Sequence, residues 1–147
     1  MDKRVNILVD FGGPRSLNEI ESFLKALLCD QDVIRTNLWP PLHRLLFSRV
    51  AKKRAIKIAH DYASIGGKSP IFENTEKLRD RMEEELQEEV LTFHRYIPET
   101  HTAFLEKLKN YKEHEIRVVP LFPQFTYATT GSCARFFAER LPHPIVQ

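Results

Sequence analysis

Cysteine, tryptophan and glycine are scarce in this chain, with two, one and five residues among 147. Cys29 and Cys133 stand far apart and have no metal-type spacing. They argue against a disulfide framework and suit a reducing compartment. No apolar run reaches the ~18 residues that a membrane-spanning helix needs. The N-terminus, Met1-Asp2-Lys3-Arg4, leads straight into a short apolar stretch. It shows no long apolar core or small-residue cleavage site, so no signal peptide is expected and the chain is placed in the cytoplasm. Charge of one sign is lacking too. Twenty-two basic and twenty acidic residues leave a net +2, which gives no reason to expect a nucleic-acid partner.

What is present is the composition of a globular domain, 42% hydrophobic and 29% charged. The length suits one domain, taken as residues 1–147. Charge is segregated. Leu42 to His60 carries six basic residues and no acidic one, and acidic residues dominate Glu73 to Glu89.

Hydrophobic periodicity divides the chain into strands and helices. Val5–Val9, Val90–Phe93 and Ile116–Leu121 read as strands. Ser16 and Glu19 have the spacing of a capping box for a helix running to about Asp30. Trp39-Pro40-Pro41 reads as a turn, followed by a basic helix from Leu42 to about Tyr62. Further helices are expected from Glu73 to about Gln87, from Pro98 through Leu108, and from Thr129 to about Leu141. Thr129 or Thr130 would serve as the last N-cap. The alternation implies an α/β fold, a parallel sheet with helices on both faces. Ile145-Val146-Gln147 resembles the start of another strand, so the pattern reads as an α/β protein interrupted partway.

The chemistry-bearing segments follow predicted strands or lie on the basic helix. Gly67-Lys68-Ser69 looks like the tail of a phosphate-binding loop. Tyr62 occupies the position of that motif's first glycine, however, and Pro70 opposes a helix at the Lys-Ser step. Gly12-Gly13 follows a strand without the G-x-G-x-x-G pattern, so it reads as a tight turn. Arg54 and Lys57 share a helix face. They could hold a carboxylate or phosphate, or form a solvated face, and composition alone favours the latter. Arg95-Tyr96, beyond a strand end, pairs a cation with an aromatic ring, and His94 reads as a packing or surface histidine. The segment from Leu121 to Ser132 joins Phe122 and Phe125 to the hydroxyls of Thr126, Thr129 and Thr130, where a flat apolar ligand or an anion could sit. The six histidines form no H-x₃-H or H-E-x-x-H pattern, and no G-x-S-x-G elbow is present. These residues define a candidate site without defining a reaction.

The same segments, in the same order, are similar to the N-terminal half of the ferrochelatase family. They are Ile7-Leu8-Val9-Asp10-Phe11-Gly12-Gly13-Pro14, Ile65-Gly66-Gly67-Lys68-Ser69-Pro70, Arg95-Tyr96 with Pro98, and Leu121-Phe122-Pro123-Gln124-Phe125 through Thr129-Thr130-Gly131-Ser132. The resemblance runs from residue 5 to the end of the chain. It implies a chelatase-like fold of two Rossmann-like halves, of which this chain is the N-terminal lobe alone. It also implies a parent enzyme that inserts ferrous iron into protoporphyrin IX, both as substrates, with no organic cofactor.

On the resemblance, Arg54, Lys57 and Ser69 would meet propionates, and Phe11 would lie against the macrocycle. Arg95 and Tyr96 would face the inner pocket, and Phe122, Thr126 and Thr129 would line another wall. The family's His-Gly-(apolar)-Pro motif and later glutamate belong to the second half, and no histidine here is followed by glycine. No catalytic residue or metal ligand is therefore assigned in this chain, and the missing C-terminal half becomes an expected partner. Asp10 stands where relatives often carry Asn, and Ala128 where a hydroxyl is common. The iron–sulfur cysteines of some members would lie beyond this segment, and peripheral membrane contact through a non-spanning lip is compatible with the family. Competing expectations are a porphyrin- or haem-binding module without catalysis and a cobalt or nickel chelatase of the same fold.

Overall fold

The computed structural model describes residues 4–141. Three parallel strands form one sheet: β1 (Arg4–Asp10), β2 (Glu89–His94) and β3 (Glu115–Pro120), in the order β2-β1-β3. Ile7 of β1 lies opposite Leu91 on one side and Val118 on the other. The central strand is buried along both faces, from Val5 through Asp10, as a parallel sheet covered on both sides requires.

Alternation along β1 sends successive side chains to opposite faces. Val5, Ile7 and Val9 join Leu91 and Phe93 under α4 (Pro98–Leu108) and α5 (Ser132–Arg140). Phe93 is the centre of this layer, with its ring 4.7–4.9 Å from those of Phe104, Phe136 and Phe137. The opposite face meets α3 (Ile71–Leu86), where Thr75 and Glu76 reach Asp10, Thr92 and His94. The remaining helices, α1 (Ile20–Leu28) and α2 (Pro40–Ser64), bury Ile20, Leu24, Leu28, Ala51 and Ala55 against each other in a second core. No helix among the described residues is long and apolar enough to cross a membrane.

Several helix ends differ from expectation for local reasons. Ser16 makes no side-chain cap. The Glu19 carboxylate turns instead to Arg15, accepting its backbone N–H at 2.9 Å and its guanidinium. A short 3₁₀ turn, Leu17–Glu19, then precedes α1, which ends at Leu28. Pro40 and Pro41 belong to the first turn of α2 and are not a separate turn. Their absent N–H groups would have lacked intrahelical partners at that position anyway. The Trp39 carbonyl accepts the N–H groups of Leu42 and His43. Helix α3 starts at Ile71, directly after Pro70, and stops where Gln87 adopts the left-handed conformation at φ 52°. The strand expected at Ile145-Val146-Gln147 lies outside the described residues.

Candidate functional site

The order β2-β1-β3 creates a switch point beside the central strand. The chain leaves β1 toward α3's face and leaves β3 toward α5's face. Parallel sheets bind ligands in the crevice beyond the carboxyl ends of such strands. Phe11, immediately after β1, and Phe122, two residues after β3, meet there with ring centroids 5.1 Å apart. Tyr96, following β2, lies 5.3 Å from Phe11 on the other side. Three residues far apart in sequence thus form one aromatic row across the strand ends. Phe11 and Phe122 are half-buried, whereas Tyr96 has no exposed surface. Tyr96 therefore backs Phe11 and presents no face of its own.

Backbone geometry fixes this row. The Arg95 N–H bonds the Asp10 carbonyl and the Tyr96 N–H the Phe11 carbonyl, each at 2.9 Å. Leu121 N–H extends β3 by bonding Val9 O at 2.8 Å. Gly12 takes φ +73°, and a Cβ there would approach Ile97 Cγ1 to 2.7 Å. A Cβ on Gly13 would come within 2.5 Å of Ser69 Cβ and Oγ. The two glycines thus admit the Ser69 loop to the end of β1, where Ser69 N–H bonds Pro14 O at 2.8 Å.

Behind the row lies a polar group that sequence reasoning missed. Asp30 Oδ2 accepts hydrogen bonds from Arg95 Nη2 at 3.0 Å, Tyr96 OH at 3.0 Å and Ser132 Oγ at 2.5 Å. Arg95 Nε also donates to Ser132 Oγ at 2.9 Å. The Arg95 guanidinium lies 4.9 Å from the Tyr96 ring and 5.3 Å from that of Phe136. Burial drives the Tyr96 hydroxyl's pKa well above its ordinary value, with the Asp30 charge adding to the effect. Tyr96 is therefore a neutral donor. No motif marked Asp30, because it follows α1 without any signature spacing. Burial also pushes the Cys133 thiol up to about 12, which makes it an inert core residue.

A second missed network lies under the β1–β2 edge. His94 is buried, with Nδ1 2.8 Å from Asp10 Oδ1 and Nε2 3.4 Å from Glu76 Oε1. Thr75 Oγ1 donates to the other Asp10 oxygen at 2.5 Å. Burial opposes a charge on His94, but the bonds to Asp10 and Glu76 outweigh it and raise its pKa. This gives Asp10 a full set of partners and agrees with the packing reading of His94.

The loop after β3 is ordered by hydroxyls. Thr126, not Thr129 or Thr130, is the N-cap. Its Oγ1 accepts from Thr129 N–H at 3.1 Å, and Thr129 Oγ1 accepts from Thr126 N–H at 3.0 Å. One wide turn, Tyr127–Gly131, with π-helical geometry, then leads into α5. In these reciprocal bonds each threonine hydroxyl accepts from a backbone donor at the helix start. Arg35 packs over the Tyr127 ring at 4.8 Å and holds the loop from outside.

Arg54 and Lys57 lie exposed on α2, whose Ala51 and Ala55 are buried. Neither pairs with a carboxylate among the described residues. Ser69 is half-buried beside Gly13. The structure thus gathers Phe11, Phe122, Thr126, Thr129 and Ser69 around the strand ends, and ties Arg95 and Tyr96 to Asp30 beneath them. No side-chain hydrogen bond or ion pair among the described residues links Arg54 or Lys57 to that group. Among the described residues, no cluster of three His, Cys, Asp or Glu side chains has the arrangement of a metal site.

A parallel α/β lobe with an aromatic crevice at its switch point is the class of protein these features define. The ferrochelatase family model matches residues 5–146, and the chain belongs to the ferrochelatase family. It is 52% identical over 138 residues to a ferrochelatase of Chlamydia muridarum, covering 94% of this chain and 43% of that protein. It is 50% identical over 136 residues to a Chlamydia trachomatis serovar L2 ferrochelatase and 48% identical over 136 residues to that of Chlamydia caviae, in each case covering 92% of this chain and 43% of the relative. The chain therefore spans less than half the length of these relatives.

Proposed function

We propose that this chain forms the N-terminal porphyrin-binding lobe of a cytoplasmic ferrochelatase, which inserts ferrous iron into protoporphyrin IX to make haem. The observation that carries this reading is the Phe11–Tyr96–Phe122 row beyond the strand ends, in a chain whose family is ferrochelatase. The half-buried rings of Phe11 and Phe122 offer an apolar platform to a flat macrocycle. Thr126 and Thr129 shape the adjoining wall. Asp30 holds Arg95 and Tyr96 in place behind the platform. Arg54 and Lys57, exposed and without carboxylate partners, have the charge to receive the porphyrin's propionates, and Ser69 supplies a hydroxyl. Protoporphyrin IX and ferrous iron are both substrates here, and the C-terminal half of the family enzyme is the natural partner.

Proton removal and metal delivery require groups that this chain does not carry, so the lobe alone binds porphyrin without turnover. The competing reading is a cobalt or nickel chelatase. Quenching of Trp39 fluorescence by protoporphyrin IX tests binding, and absorbance of zinc or iron porphyrin tests turnover. Saturable quenching without metal insertion is expected. An Arg54→Ala/Lys57→Ala variant should lose most of that affinity, and unchanged affinity would refute the propionate role. Clear insertion by the purified chain would refute the assignment of proton and metal handling to the C-terminal half of the family enzyme.

A further inference from the structure

Apart from the aromatic crevice, an open cavity of about 630 Å³ lies beside Arg95, bounded by α1, the starts of α2 and α4, and α5. Its walls carry five cations, Lys25, Arg44, Arg95, Arg135 and Arg140, against two carboxylates, Asp30 and Glu139. Asp30 is already committed to Arg95, Tyr96 and Ser132. Arg135 is held by Asp32 at 2.7 Å. Lys25, Arg44 and Arg140 have no carboxylate partner among the described residues, and Arg140 is propped over the Phe136 ring at 4.7 Å.

Three further observations point the same way. The N-termini of α2 and α4 open at the cavity through Pro40 and Pro98, and neither has a side-chain cap. Their positive dipole ends add to the cationic field. His43, another wall residue, has a buried Nε2 with no hydrogen-bond partner among the described residues, although its Nδ1 lies 2.8 Å from Thr36 Oγ1. A buried ring nitrogen in that state is costly, and an acceptor seated against His43 would relieve it. The field also reaches His101 on the opposite wall. Burial lowers its pKa, and Arg95 and Arg140 lower it further, although its Nε2 lies 3.0 Å from the His94 carbonyl oxygen.

We infer that this cavity is a second ligand site, separate from the aromatic crevice, which takes a small multivalent anion bearing carboxylate or phosphate groups. Lys25, Arg44 and Arg140 supply the free charge, and Arg95 connects the cavity wall to the Asp30 group beneath the crevice. Guanidinium groups pair in a bidentate manner with either anion, so the shared chemistry is an oxyanion with two or more negative charges.

The test is titration of the ¹⁵N-labelled chain with citrate and, separately, inorganic phosphate, at constant ionic strength set with sodium chloride. Saturable shifts confined to residues around Lys25, Cys29, His43 and Arg44 are expected. Saturation by citrate alone assigns a carboxylate ligand, by phosphate alone a phosphate ligand, and by both an unselective oxyanion site. An Arg44→Gln/Arg140→Gln variant should weaken binding by about tenfold or more, because each lost pairing removes a charge-assisted bond. Both residues are exposed, and the variant's circular dichroism and melting temperature serve as its folding control. Should that variant fail to fold, Lys25→Gln provides the same comparison. No saturation by either anion, shifts spread equally over Arg54 and Lys57, or unchanged affinity in the folded variant would each overturn the inference.

Discussion

Asp30 and Arg95 are joined across 65 residues by a 3.0 Å ion pair, whose side chains are only 8% and 18% exposed. The same carboxylate oxygen also accepts hydrogen bonds from the hydroxyls of Tyr96 and Ser132. Removing it takes the shared acceptor from a guanidinium and two hydroxyls, leaving Tyr96 OH with Ser132 Oγ at 3.0 Å. Breaking a largely buried pair by deleting one partner costs about 3–5 kcal/mol. Asp30→Ala should therefore lower the urea midpoint sharply. Asp30→Asn keeps the shape and one acceptor, so it should lose less. Equal stability of Asp30→Ala and the natural chain would show that water replaces the carboxylate at no cost.

A buried imidazole between two carboxylates makes stability depend on pH in a defined direction. His94 has a pKa raised above its usual 6.5, by Asp10 and Glu76 acting against burial. Its contribution is fully present below the unfolded value of 6.5 and is lost as pH rises through the folded value. Glu76 is held below its usual 4.5, chiefly by its hydrogen bond to His94. That contribution is present above 4.5 and is lost as pH falls through the folded value. The melting temperature should thus be highest between these limits. In His94→Gln the decline on the alkaline side should flatten. Parallel profiles for the two proteins would remove His94 as its cause.

The close approach of Gly13 to Ser69 yields a paired test. A Cβ at Gly13 would sit 2.5 Å from the Ser69 side chain. Gly13→Ala should push the Ser69 loop outward, at about 1–3 kcal/mol for an overpacked contact. Ser69→Gly removes the obstructing atoms, so the double variant should recover part of the loss. Residues in contact show such non-additivity. Thermal melts of the two single variants and the double variant measure it. Strict additivity would place the strain of Gly13→Ala elsewhere.

Much of the architecture was legible because its causes are local and periodic. The three strands and five helices follow from apolar spacing and from breakers such as Pro70 and Pro98. Tyr96 and Phe122 were legible as strand-end residues and Phe11 through the family resemblance, and the parallel fold brings such ends together. Other features depend on partners distant in the chain. Nothing near Asp30 indicates that it meets Arg95, Tyr96 and Ser132. The Asp10–His94 pair depends on the register of two parallel strands. Ser16 and Glu19 had the spacing of a capping box, but Arg15 competed for the carboxylate. Thr126 displaced Thr129 and Thr130 as N-cap because the first turn of that helix is wider than an α-helical one. The separate α1–α2 core was not legible either, since the same apolar stripe would serve against a sheet.

Phe11 and Phe122 provide the most direct test of the aromatic crevice. Their rings meet 5.1 Å apart at the ends of neighbouring strands, and both are half-buried. If they form the platform for a macrocycle, loss of either ring removes contact area together with an aromatic pairing of about 0.5–1.5 kcal/mol. Phe122→Leu keeps an apolar group in the crevice and should fold, yet weaken protoporphyrin binding by up to about tenfold, the equivalent of about 1.4 kcal/mol. Phe11→Leu should do the same, and also loosen Tyr96, whose ring packs against it at 5.3 Å. Fluorescence titration measures the affinity, and a thermal melt separates it from any loss of fold. If both leucine variants fold and bind protoporphyrin as tightly as the natural chain, the macrocycle does not rest on these rings.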